Sequence, residues 1–154
     1  AFYHSDLVSV SMNLGVTDIG ESAFEGCERL ESAVLSVGNI DVSAFRDCAN
    51  LSSLTFGDNV WSIGSYAFLG CSSLSALDLS PSLLTIGTSA FENCSGIRTV
   101  HIRSYQSAIY SFAFRNCTSI NTVYYSGSPR RWSETQISEG NDCLLGAEIY
   151  YYVD

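Results

Sequence analysis

Lysine is absent from this 154-residue chain. Its seven basic residues are all arginine and stand against 16 acidic ones, for a formal net charge of −9. So acidic a surface repels phosphate backbones, which excludes nucleic acid as a partner, and it is equally unsuited to docking on anionic lipid. Long apolar runs are missing as well. None approaches the roughly 18 residues that a membrane span requires, and no secretory leader opens the chain. Catalytic signatures are as scarce. The two histidines, His4 and His101, stand in no H-E-x-x-H, and there is no G-x-S-x-G elbow, phosphate-binding loop or G-x-G-x-x-G. Charged residues make up only 15%, and Ser, Thr, Asn and Gly carry much of the polarity, a composition suited to an exposed extracellular surface. Against these absences stands an apolar content of 46%, enough to give one domain of this length a real core.

What the chain does have is internal repetition. The phrase Ala-Phe-x-x-Cys-x-x-Leu begins at Ala23, Ala44, Ala67, Ala90 and Ala113, in steps of 21, 23, 23 and 23 residues, with Ile in place of Leu in the last two copies. A sixth copy starts at Ala1, with Ser5 in the cysteine slot, so the chain opens inside a repeat and an upstream continuation is expected. After each phrase comes L-x-x-L-x-L: Leu30/Ala33/Leu35, Leu51/Leu54/Phe56, Leu74/Leu77/Leu79, Ile97/Val100/Ile102 and Ile120/Val123/Tyr125. Leu7/Val10/Met12 and Leu144/Ala147/Ile149 add one such segment at each end. A fixed period of this length means a solenoid.

Each coil has a physical reading. Apolar alternation at the end of L-x-x-L-x-L predicts a short half-buried strand, and seven of these stack in parallel at about 4.8 Å. Offsets 0, 1, 4 and 7 for Ala, Phe, Cys and Leu span about 120° at helical pitch, which predicts a short helix on the opposite face. Ile19, Ile40, Ile63, Ile86 and Ile109, four residues before each internal Ala, form a third inward row. Gly20, Gly64 and Gly87 follow three of them and suit a tight turn. Gly26, Asp47, Gly70, Asn93 and Asn116, three residues after Ala, are types that tolerate a left-handed conformation. The prediction is an α/β repeat: a solenoid of about seven coils with a parallel sheet on one face, short helices on the other and a C-terminal cap, with repeats over 1–126 and the cap with the last strand over 127–154.

These residues resemble the BspA-like class of leucine-rich repeats, and "IGSYAFLGCSSLSALDL" (63–79) is almost an ideal copy. The slot where common leucine-rich repeats place Asn or Cys holds Gly15, Gly38, Asn59, Ser82 and Tyr105, so no asparagine ladder forms. The tail 123–152, with a Tyr-rich strand, a Trp-bearing segment and a final strand, is similar to the closing segment of that class. The resemblance implies an extracellular or cell-surface protein, acting in adhesion to host, matrix or microbial surface proteins, with no enzyme activity.

Five cysteines, Cys27, Cys48, Cys71, Cys94 and Cys117, share one slot. Stacked helices would hold them about 8–10 Å apart, beyond the reach of a disulfide, so they read as buried free thiols. A column does not converge as a metal site must. Cys143 lies outside it and reads as a cap residue. In "SPRRWSE" (128–134), Ser before Pro suits a helix start, with Trp132 sealing the last coil. No cofactor or metal is expected.

Strand alternation turns one row outward: Ser11, Val34, Thr55, Asp78, His101, Tyr124 and Glu148. The next row holds Asn13, Ser36, Gly57, Ser80, Arg103, Ser126 and Tyr150. Small residues dominate the N-terminal half. Asp78, His101, Arg103, Tyr124 and Tyr150 gather toward the C-terminal end and form the candidate partner-binding set, since Tyr and Arg most often anchor binding surfaces. An Asp78–His101 pair lies in an open row with neither pocket nor oxyanion donors, which argues against catalysis. The expected role is a monomeric, non-catalytic module that binds a protein partner through the exposed sheet. The alternative is a spacer or stalk that presents other domains. A carbohydrate-binding or enzymatic role would need a concave pocket that the sequence gives no reason to expect.

Overall fold

The computed structural model describes residues 1–13, 15–104 and 107–152; Tyr105 lies outside them. The chain winds as a solenoid of about six turns. Strands β1 (Ser9–Met12), β3 (Ser32–Leu35), β5 (Ser53–Phe56), β7 (Ala76–Asp78), β9 (Thr99–Ile102), β11 (Thr122–Ser126) and β12 (Glu148–Tyr152) line one side. They run parallel in two sheets, β1-β3-β5 and β7-β9-β11-β12. A second parallel sheet comes from the two-residue strands β2 (Asp18–Ile19), β4 (Asn39–Ile40), β6 (Ser62–Ile63), β8 (Thr85–Ile86) and β10 (Ala108–Ile109). The isoleucine row is its inner edge, with all five residues buried.

The Ala-Phe phrase is not a helix. Each copy is a run of turns, and the backbone shows why. Alternate N–H groups close turns within the coil, such as Glu25 N to Ser22 O and Cys27 N to Phe24 O, both 3.2 Å. The others reach the next coil: Phe24 N donates to Ala44 O at 2.7 Å and Gly26 N to Arg46 O at 2.8 Å. Two left-handed residues per coil make this possible. One is the expected slot (Gly26, Asp47, Gly70, Asn93 and Asn116); the other is the residue before Ala (Ser22, Ser43, Tyr66, Ser89 and Phe112). An α-helix tolerates neither. Among the described residues the helices are α1 (Pro129–Glu134) and α2 (Asp142–Leu145), both near the C-terminus.

Turns stack more closely than helices would. The phenylalanines form a continuous spine, Phe2, Phe24, Phe45, Phe68, Phe91 and Phe114, with ring centroids 4.9–5.4 Å apart and planes within 12°. That spacing corrects the 8–10 Å argument about the cysteines. They are free and the five in the column are buried, because each thiol is aimed at a carbonyl rather than at its neighbour. Cys27, Cys48, Cys71, Cys94 and Cys117 donate to Phe2, Phe24, Phe45, Phe68 and Phe91 O respectively, at 3.0–3.2 Å. Ser5 continues the column with its hydroxyl 3.3 Å from Cys27 Sγ. Close stacking also explains Gly64 and Gly87. A Cβ there would stand 2.7 Å from Asp41 C and 2.5 Å from Ser65 N, so the need is for contact between coils rather than for a special turn.

Residues 136–141 close the turn side by imitating half a coil. Ile137 bridges Ile109, Ser138 N donates to Ile109 O and Phe112 N donates to Glu139 O, as equivalent residues do in every coil before. Gly140 takes the left-handed slot. Asn141 stands where Ala would, and its Oδ1 accepts from Phe114 N at 3.0 Å in place of the next coil's carbonyl. Its Nδ2 donates to Tyr110, Ser138 and Glu139 carbonyls. Ser128 caps α1 with Pro129 at its start, and Trp132 packs edge-on against buried Tyr125 at 5.0 Å.

Candidate functional site

The main sheet breaks between β5 and β7, and the break separates two kinds of surface. On β1-β3-β5 the outward row is Ser11, Val34 and Thr55. On β7-β9-β11-β12 the row in register is Asp78, His101, Tyr124 and Tyr150. Parallel pairing without offset places these side chains one strand apart, which makes a row of contacts rather than a scatter.

The contacts are specific. His101 stacks on Tyr124 with centroids 4.6 Å apart, and Tyr124 stacks on Tyr150 at 5.5 Å. Tyr152 leans toward Tyr124 at 5.7 Å. Asp78 pairs with Arg103 rather than with His101: its Oδ2 accepts from Arg103 Nη2 at 2.6 Å. The Glu148 carboxylate, hydrogen-bonded to the Tyr150 hydroxyl, holds that phenol above its usual value, so it stays a neutral donor.

All five candidates therefore lie on one four-stranded surface, but in a different arrangement from the expected one. Tyr150 aligns with Tyr124 rather than with Ser126, and Glu148 aligns with Thr122. The final strand is offset by two residues from the L-x-x-L-x-L alignment because α2 takes up Asp142–Leu145 and buries Leu144 as part of the cap. A slip of two preserves side-chain parity, so the exposed face was legible and the row was not. Tyr152 enters the cluster by the same offset, and only the tyrosine run pointed to it. Ser80, expected outward, is buried in a turn where its hydroxyl accepts from Ser82 N.

Among the described residues no three His, Cys, Asp or Glu side chains converge to hold a metal, and no helix is long and apolar enough to cross a membrane. The arrangement is a shallow, aromatic, hydrogen-bonding surface.

Comparison with known proteins follows this geometry. Residues 1–121 match six copies of the BspA-type leucine-rich repeat region. A leucine-rich repeat protein from T. pallidum is 25% identical with a TM-score of 0.72, over 87% of this chain and 69% of that one. A leucine-rich cell surface protein from Faecalibacterium prausnitzii is 27% identical with a TM-score of 0.78, over 86% of this chain and 35% of that one. One from Bacteroides ovatus, at 18% identity and a TM-score of 0.74, shares the fold over 99% of this chain and 44% of that one. The chain thus spans less than half the length of the last two. No curated protein matches the sequence. The chain belongs to the BspA-type leucine-rich repeat family.

Proposed function

We propose that this chain is a non-catalytic module of a surface-exposed or secreted protein, binding a protein partner through the face of β7-β9-β11-β12. Leucine-rich repeat proteins commonly serve as protein-interaction modules. The observation that carries the reading is the in-register cluster of Asp78–Arg103 and His101–Tyr124–Tyr150 on one open sheet. Exposed Tyr and Arg in one patch are typical anchors of binding surfaces. The surface location is supported by the composition and by the likeness to the F. prausnitzii cell surface protein. The test is capture of purified matrix and host-cell-surface proteins by the wild type and by the Asp78→Ala/His101→Ala/Tyr124→Ala variant. The variant is expected to lose most capture; equal capture by both removes this face from consideration and favours the spacer reading.

A further inference from the structure

We infer that the partner presents arginine or lysine side chains to the rings of Tyr150 and Tyr152, which Tyr124 backs. This rests on the proposed binding face and names the chemistry that face selects.

Three observations converge. The first is the ring cluster. Tyr124 is stacked between His101 and Tyr150 at 4.6 and 5.5 Å and supports the cluster, while Tyr150 and Tyr152, on the edge strand, remain 45% and 49% exposed. The electron-rich face of a phenol attracts an ammonium or guanidinium group held within about 6 Å of its centre. The second is the local charge balance. Arg103 is the one arginine in these outward rows, and Asp78 neutralises it at 2.6 Å. That leaves the exposed Glu148 carboxylate, beside Tyr150, as the charge of the cluster that no cation balances among the described residues. The third is the field of the whole chain: a formal charge of −9 and no lysine draws cations and repels anionic partners. Rings, local charge and global field all favour the same sign.

A neutral glycan could stack on the same rings, and the experiment separates the two. A fluorescein-labelled peptide alternating Arg and Ser is titrated with the protein at low and raised ionic strength, beside the same peptide carrying Gln for Arg. The Arg peptide is expected to bind more tightly and to weaken with salt. The Tyr124→Ala/Tyr150→Ala/Tyr152→Ala variant should weaken it about tenfold or more, while the triple Phe variant, which keeps the ring faces, stays within about twofold. Equal binding of the Arg and Gln peptides overturns the inference, as does equal binding by the wild type and the Ala variant. NMR shifts of the tyrosine resonances with a soluble neutral glucan, and none with the Arg peptide, overturn it in favour of a glycan. If the Asp78/His101/Tyr124 variant loses protein capture while no Arg preference is seen, only the cationic assignment falls. If capture is unchanged, the face itself falls.

Discussion

At the scale of single residues, the cysteine is more than a small apolar filler. Its slot needs an apolar body that also donates a hydrogen bond, because each Phe carbonyl faces a thiol from the following coil. Sulfur supplies both at little desolvation cost. Burial pushes Cys48 and Cys117 up to about 12 from an ordinary value of 9.0, and carries Cys71 and Cys94 well above it. These thiols ionise readily only in the unfolded chain. Their contribution to stability is therefore complete below pH 9 and is lost as pH rises from there toward 12. Denaturation series across that range should show stability falling by up to about 1.4 kcal/mol per pH unit for each such thiol. The Cys48→Ala/Cys117→Ala variant should show a shallower slope. In the same samples at neutral pH, a thiol reagent should modify the column slowly in native protein and quickly in denaturant. Rapid native labelling of most thiols would contradict the packing.

At the scale of elements, the cap shows how a repeat ends without leaving polar groups open. Asn141 returns to the spine the acceptor that a further coil would have supplied. Asn141→Ala should cost about 1–3 kcal/mol, the usual penalty for a buried donor without a partner. Hydrogen exchange at the Phe114 amide should accelerate with it. Asn141→Asp keeps an acceptor but turns a carboxylate toward the Tyr110, Ser138 and Glu139 carbonyls. It should be worse than Ala at neutral pH and recover on acidification, when the carboxyl can donate again. If Asp is tolerated at neutral pH, the capping role is wrong. The half-coil was partly legible beforehand: Ile137 stands four residues before Asn141, as Ile109 stands four before Ala113. What hid it was the 28-residue step from Ala113 to Asn141, lengthened by α1.

At the scale of the whole molecule, each coil touches only its neighbours, so the effect of a residue depends on its place along the axis. Phe68 is buried between Phe45 and Phe91, with Phe56 edge-on at 5.8 Å. Phe2 has one stacked neighbour and is 49% exposed. Denaturant unfolding should therefore find Phe68→Ala costing about 3–5 kcal/mol and Phe2→Ala about 1 kcal/mol or less. Similar losses at both positions would mean that the spine does not act coil by coil.

The solenoid, its buried rows and the outward face of the strands followed from periodicity, with Ser80 the exception, because alternation and repeat length are local properties written in every coil. The turn-built side did not. Offsets of 0, 1, 4 and 7 suit a helix and a stacked turn alike, and hydrogen bonds between coils decide between them. The Asp78–Arg103 pair was beyond the sequence because the reach of the arginine across two rows decides it, and the stacking of Tyr124 with Tyr150 because it depends on strand register after the repeat has ended. There the cap, not the period, sets which residues meet.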